Sequence, residues 1–144
     1  MELQVKLLTD TATVPTVEHP GEDLAWDLYA SEEVNIRPGQ LAKVSTGIAA
    51  QLVSDTQKFG LLVRDRSGLA SKMLFVTGGV IDASYTGEIK VMVTNNGPNT
   101  HTFIKGDKIA QIIPIPVLTD SPVKIVEELA NNTRGDKGFG SSGR

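Results

Sequence analysis

The sequence predicts a single all-β domain, a sandwich or a barrel, and three observations carry that prediction. Valine, isoleucine and threonine, which fit a pleated and half-buried surface, make up about a quarter of the 144 residues. The 14 glycines and 7 prolines recur at short intervals, as turns between short strands require. Apolar and polar residues alternate in Leu3-Gln4-Val5-Lys6-Leu7 and in Ile89-Lys90-Val91-Met92-Val93, the period-two pattern of a strand with one buried face.

Taken in order, the first element is the strand Leu3–Leu7. Leu41 to Leu52 and Phe59 to Arg64 follow as apolar, β-branched runs bounded by turn residues. Ser67 to Lys72 has room for two helical turns at most. Val80-Ile81 and Ile89-Lys90-Val91 read as the two arms of a hairpin with Tyr85-Thr86-Gly87 at its tip. Lys108 to Ile113 is a strand in which strict alternation puts Ile109, Gln111 and Ile113 on one face. Val123 to Val126 reads as a last strand, with a turn of helix after it at Glu127 to Ala130. Pro38-Gly39, Asn96-Gly97-Pro98 and Lys105-Gly106-Asp107 are the turns between elements. No internal repeat and no interdomain linker interrupts this order. Residues 131–144 differ, with four glycines and Phe139 as the one aromatic. Their composition is that of a disordered tail or of a vector-derived scar at Gly140-Ser141-Ser142-Gly143. The alternative is an arm that orders over a ligand, and Phe139 between two glycines is unusual in a plain linker.

Charge and rare residues exclude whole classes of function. Fourteen basic against 17 acidic residues leave a net charge of −3, which argues against a nucleic-acid coat protein. One local cluster of donors can still bind a small anion. With no cysteine there is no disulfide, thiolate metal site or thiol nucleophile, and with only His19 and His101 a multi-histidine metal site is not expected. The N-terminus lacks a signal pattern, and the longest apolar run, Ile112 to Leu118, is broken by Pro114 and Pro116. The expectation is a soluble, cytoplasmic protein without a membrane span.

Four segments have residues that do chemistry, and each has a plain structural alternative. In Arg64-Asp65-Arg66-Ser67-Gly68-Leu69-Ala70, free amides at a helix start, the Arg66 and Ser67 donors and the small Gly68 suit a phosphate, or else form a capped surface helix. In Gly78-Gly79-Val80-Ile81-Asp82-Ala83-Ser84-Tyr85-Thr86-Gly87-Glu88-Ile89, Asp82 is either a general base or a turn cap, and Tyr85 either lies on a ring or packs the turn. Gln111, on an otherwise apolar face, needs a partner, either a core hydrogen bond or a ligand. Asp27, alone among apolar residues in Ala25-Trp26-Asp27-Leu28-Tyr29-Ala30, needs a cation if it points inward and otherwise faces solvent.

Each segment is ambiguous singly; their order is not. From about residue 21 to the C-terminus the chain resembles the trimeric deoxyuridine triphosphatase (dUTP diphosphatase) family, which has five short motifs in this order. Ala25 to Ala30 resembles the first, Asp65 to Ala70 the second, and Gly79-Val80-Ile81-Asp82 through Tyr85, Gly87, Glu88 and Ile89 the third. Gly106 to Gln111 is similar to the fourth and Arg134 to Gly143 to the fifth. Asp65 stands where the family often has proline, and Trp26 where smaller or different aromatic residues are common.

The resemblance implies a distorted, jelly-roll-like β-barrel over residues 1–130, with one short helix and residues 131–144 as a mobile arm closing over the active site. It implies hydrolysis of dUTP to dUMP and pyrophosphate, which keeps uracil out of DNA and supplies dUMP for dTMP synthesis. Asp82 would be the base that orients and deprotonates water for attack on the α-phosphorus. Arg66, Ser67, Gly68 and Gln111 would hold phosphate, and Arg134 would close over the terminal phosphates. The backbone of Gly79, Val80, Ile81 and Glu88, with Lys90 nearby, would read uracil and leave no space for a 5-methyl group. Tyr85 would exclude a 2′-hydroxyl, and Phe139 beside Gly140 would stack on the base. The implied cofactor is Mg²⁺, held mainly by the triphosphate, with Asp27 reaching it through water. The implied assembly is a homotrimer with shared sites and with no nucleic-acid or membrane partner. A dCTP deaminase of the related fold is the alternative reading, disfavoured because Arg66 to Ala70 and the Phe139 arm resemble the diphosphatase versions.

Overall fold

The structure, a computed structural model, describes residues 1–140 and residue 143; Ser141 and Ser142 of the fifth motif and Arg144 of the tail lie outside the described residues. The described residues form eleven strands and one helical turn. β1 (Glu2–Leu7) pairs with β5 (Ile48–Val53) along its whole length, Glu2 opposite Val53 and Leu7 opposite Ile48. β2 (Trp26–Tyr29), β11 (Lys108–Pro116), β6 (Phe59–Arg64) and β8 (Val80–Ile81) form a four-stranded sheet in that order. β4 (Leu41–Ser45), β9 (Lys90–Asn95) and β7 (Leu74–Thr77) form a second sheet, and β3 (Val34–Ile36) pairs with β10 (His101–Phe103). Every pairing is antiparallel. These small sheets wrap one core, where Leu28, Val44, Ile48, Leu61, Val91 and Ile112 meet from six different strands. The result is the expected all-β barrel-like fold with one short helix, α1 (Ser67–Ala70).

The long apolar run Leu41 to Leu52 is two strands. The chain bends at Thr46-Gly47, where Gly47 takes φ +68°, a left-handed conformation that side chains rarely adopt. A Cβ there would also collide with the side chains of Thr9 and Ala12. The buried Thr46 hydroxyl fixes the bend by donating to the Ile89 carbonyl.

The expected hairpin is not formed. Val80-Ile81 pairs with Leu61-Leu62 of β6, whereas β9 pairs with β4 and β7, so the two arms belong to different sheets. Residues 82–89 are therefore a loop crossing between sheets. Two apolar arms with a turn between them look the same in sequence whether they pair with each other or with distant strands.

A bulge corrects the expected face of β11. Lys108 lies opposite Tyr29 and Ala110 opposite Leu28, so one extra residue, Ile109, is accommodated. Ile109, Ala110 and Ile112 are all buried in the core, while Gln111 and Ile113 are half-buried beside a surface cleft. Val123 to Val126 is not a strand and Glu127 to Ala130 is not a helix; residues 117–140 contain neither element. Val123 is 98% and Ile125 96% exposed. A strand needs a ladder partner, and among the described residues this segment has none.

Buried polar groups are matched. Asn95, 1% exposed, donates to the Ile36 and Asn99 carbonyls at 2.7 and 2.8 Å and accepts from the Gly97 amide at 2.9 Å. Those bonds hold the Asn96-Gly97-Pro98 turn against β3. Nearby, His101 packs edge-on against Phe103, ring centroids 4.5 Å apart. Burial first, and Lys72 second, lower its pKa below the ordinary histidine value. The unfolded chain then binds the proton more readily, so stability is lost as pH falls below about 6.5. Thermal melts should show a smaller drop between pH 7.5 and 5.5 for His101→Gln than for the wild type; equal drops would place the acid sensitivity elsewhere.

Candidate active site

One cleft, of about 580 Å³, opens beside the loop that follows β8, and Val80, Ile81, Asp82, Tyr85, Glu88 and Lys90 line it together with Gly78, Lys43 and Met92. The sequence folds this way because Gly79 lets β8 approach β6 closely. The Gly79 carbonyl accepts from the Val63 amide at 2.7 Å, and a Cβ on Gly79 would run into the Val63 carbonyl. Gly79 does not line the cleft; it seats the strand that does. The Tyr85 amide then donates to the Asp82 carbonyl at 3.0 Å, closing a turn, and the Tyr85 hydroxyl donates to the Glu88 carbonyl at 2.9 Å. Gly87 makes room for that ring, since a Cβ there would meet the Tyr85 hydroxyl at 2.6 Å.

Glu88 braces the loop from below. Its carboxylate accepts from the Gly47 amide at 3.1 Å and lies 3.6 Å from the Lys90 ammonium, which ties the loop to the bend between β4 and β5. Asp82, at the head of the loop, has no ion-pair partner among the described residues. Its carboxylate is exposed and lines the cleft, with both oxygens available to a water or ligand.

A second cleft, of about 320 Å³, is built where three strands run side by side. Gln111 of β11 lies opposite Asp27 of β2 on one side and Arg64 of β6 on the other, and Arg66 follows just beyond the end of β6. Asp27 is half-buried and inward, and it finds two cations: Arg66 Nε lies 3.1 Å from one carboxylate oxygen and Lys108 Nζ 2.7 Å from the other. The hydrogen bond to Asp27 raises the Lys108 pKa above the ordinary lysine value. Gln111 donates to the Asp65 carbonyl at 2.8 Å and also lines the cleft. The side chain of Asp65 is directed to Arg64, at 3.6 Å. Glu18 and Asp23 also line this cleft and add negative charge, and the His19 amide, donating to Asp23 at 2.9 Å, holds that carboxyl below the usual range.

Ser67 and Gly68 are exposed next to Arg66 at the start of α1. Gly68 has neither a positive φ nor any atom within 4 Å of where a Cβ would sit, so nothing within the chain requires glycine there. An open glycine beside an arginine leaves backbone that a ligand can approach closely.

The structure thus brings Asp27, Arg66 and Gln111 together, and separately Val80, Ile81, Asp82, Tyr85, Glu88 and Lys90. The two clefts have no lining residue in common. Arg134, Phe139 and Gly140 line neither: Arg134 donates to the Lys137 carbonyl at 2.7 Å, and Phe139 is fully exposed. Lys43 and Met92 join the clefts from outside the candidate segments, and Gly78 and Lys108 from inside them without a role of their own. Lys108 had a local signal, three positions before Gln111 on the same strand. Lys43 had none, since it reaches its cleft only because β4 pairs with β9, Lys43 opposite Met92. Among the described residues no group of three or more His, Cys, Asp or Glu is placed to hold a metal ion.

Comparison with known proteins converges on one family. The family model described as dUTPase matches residues 10–143. A deoxyuridine 5′-triphosphate nucleotidohydrolase of Clostridioides difficile is 42% identical over 98% of this chain and 97% of its own length, and one from Gloeothece citriformis is 40% identical over 99% and 97%. Among solved structures, a mutant dUTPase of Staphylococcus bacteriophage 80alpha with dUpNHpp superposes at a TM-score of 0.87 with 30% identity, over 99% of both chains. A mutant dUTPase of phage phi11 of S. aureus, described with a structural Mg(II) ion, gives 0.79 with 27% identity over 91% of this chain. With the match running across nearly its whole length, the chain belongs to the dUTPase family.

Proposed function

We propose that this chain hydrolyses dUTP to dUMP and pyrophosphate by attack of water on the α-phosphorus. The observation that carries the reading is the Asp82 carboxylate, without an ion-pair partner among the described residues, on a cleft formed by its own loop in a chain of the dUTPase family. Asp82 accepts the proton of the attacking water and aims it in line with the leaving pyrophosphate. Arg66, with the exposed Ser67 and Gly68 backbone and Gln111, holds the phosphates and stabilises charge as it moves to the leaving group. Arg134, whose side chain bonds only to the nearby Lys137 carbonyl among the described residues, and the fully exposed Phe139 close over phosphate and base when substrate is bound.

Loop backbone between Val80 and Glu88 is the reader of the uracil edge, and the narrow loop excludes a 5-methyl group. Gly79 acts one step removed, by seating β8. Tyr85, held across the loop by its bond to the Glu88 carbonyl, takes the sugar and excludes a 2′-hydroxyl. Lys90 steadies Glu88 at the far end of the cleft.

For Mg²⁺ the residues fit one role. Both Asp27 oxygens already face a cation, which makes the carboxylate a poor direct ligand but leaves lone pairs for a metal-bound water. The ion is expected to arrive on the triphosphate, where it neutralises phosphate charge.

A homotrimer with shared sites fits two observations: the base and phosphate clefts of one chain share no residue, and Val123, Ile125 and Leu129 are almost fully exposed. Apolar side chains left bare in a tail mark a surface that another copy covers. A cytoplasmic setting fits the lack of cysteine, and among the described residues no helix is long and apolar enough to cross a membrane.

Pyrophosphate release measured against dUTP, dTTP, dCTP and UTP tests the reading. Hydrolysis of dUTP alone supports it, conversion of dCTP to dUTP would establish the deaminase instead, and no turnover of any would overturn both. In the same panel Tyr85→Ala should lower the ratio of kcat/KM for dUTP over UTP by roughly tenfold or more, the scale of losing a steric selection against a hydroxyl. An unchanged ratio would assign the sugar choice to the loop backbone.

A further inference from the structure

The phosphate cleft is short of positive charge. Glu18, Asp23 and Asp27 line it, and among the described lining residues only Arg66 and Lys108 are basic, yet its ligand has about four negative charges in the function proposed above. How Asp27 is shared decides how much of Arg66 is left for that ligand. A carboxylate beside an arginine tends to pair in bidentate fashion, both oxygens against two guanidinium nitrogens. Here Lys108 Nζ occupies one Asp27 oxygen at 2.7 Å, and Arg66 meets the other through Nε alone, at 3.1 Å. The terminal nitrogens of Arg66 make no hydrogen bond among the described residues, and the side chain remains about a third exposed.

We infer that Lys108 is a positioning residue for phosphate recognition: by occupying Asp27 it prevents the bidentate pair and keeps the terminal nitrogens of Arg66 free for the triphosphate. Lys108 touches no phosphate in this scheme. Its effect passes through Asp27, which becomes a hinge post for Arg66 instead of a competitor with the substrate. It also leaves the three-residue cluster with one net positive charge; without Lys108 the cluster is neutral and the two outer carboxylates dominate the cleft. The register supports this geometry, because the bulge in β11 is what brings Lys108 opposite Tyr29, two places from Asp27 on the neighbouring strand. The inference rests on the phosphate-binding reading of this cleft, and the test separates the two.

Pyrophosphate is the probe, with affinity measured by calorimetry in EDTA so that no metal enters the comparison, alongside steady-state kinetics with dUTP. Binding of pyrophosphate by the wild type that is lost in Arg66→Gln supports the phosphate reading; absence of wild-type binding overturns that reading and this inference with it. Given that binding, Lys108→Met should weaken pyrophosphate roughly tenfold and raise KM for dUTP similarly, with kcat within about threefold of wild type, the scale expected when a charge-assisted pair is rearranged. Lys108→Arg should restore both. The deciding measurement is the same substitution in an Asp27→Asn background, where no carboxylate is left to capture Arg66: the loss should shrink to about threefold or less. If the loss is as large or larger without the Asp27 charge, Lys108 acts on the phosphate directly and the inference is wrong. It also fails if Lys108→Met binds pyrophosphate as well as the wild type, or if kcat falls with KM unchanged.

Discussion

Asp82→Asn is expected to leave a folded protein that still binds dUTP but turns it over about 10²–10⁴-fold more slowly, the range that a positioned general base contributes. Asparagine nearly matches aspartate in size and keeps an acceptor oxygen, but it cannot take a proton from water at neutral pH. The fold should not notice the change. Asp82 is exposed and has no ion-pair partner among the described residues, and the turn that follows is closed by its backbone carbonyl, which the substitution keeps. Single-turnover pyrophosphate release and calorimetric binding of a non-hydrolysable analogue separate chemistry from affinity. A near wild-type rate would remove Asp82 as the base, and lost binding with an intact rate at saturation would make it a substrate-holding group.

Deletion of residues 133–144 is expected to abolish turnover while leaving the barrel intact. Among the described residues the last strand ends at Pro116 and the core cluster includes no tail residue, so truncation leaves the described core complete. What it removes is Arg134 and Phe139. Residues 131–144 reach roughly 46–50 Å when extended, against a radius of gyration of about 15 Å for a chain of this size, so the arm can serve a neighbouring copy. Refolding the truncated chain together with the Asp82→Asn chain tests that directly. If arm and base come from different subunits, about a quarter of the sites in random mixed trimers combine an intact copy of each, and activity reappears from two inactive parents. An inactive mixture in which mass measurement confirms mixed trimers would show that the arm serves its own subunit.

Much of the fold was legible because its signals are local. β1, β6, β9 and most of β11 stand where alternation and β-branched runs put them, and α1 starts at Ser67 as expected. The short strands β2, β3, β7 and β10 were not singled out, since three or four residues are too few for a period to show. The Ile109 bulge was hidden because inserting one residue into a ladder changes the facing of side chains without changing composition. Val123 to Val126 has the composition of a strand and finds no ladder partner among the described residues, which marks where local propensity stops being sufficient.

Sequence alone determined the chemistry on offer: an acid at the end of an apolar strand, an aromatic three places on, an Arg-Ser-Gly step at a helix start, a glutamine and a glycine-flanked phenylalanine, in an order that resembles one family. Those features are runs of neighbouring residues, and neighbours in sequence are neighbours in space. Only the tertiary structure decided which of them meet. It sends β8 to β6 instead of to β9, turning a hairpin into a crossing loop, and it places Gln111 between Asp27 and Arg64. It gives Asp27 two cations, from residues 66 and 108, and Asp82 none among the described residues. Such pairings are set by register and by competition for burial among strands far apart in the chain, and no local pattern records the outcome of that competition.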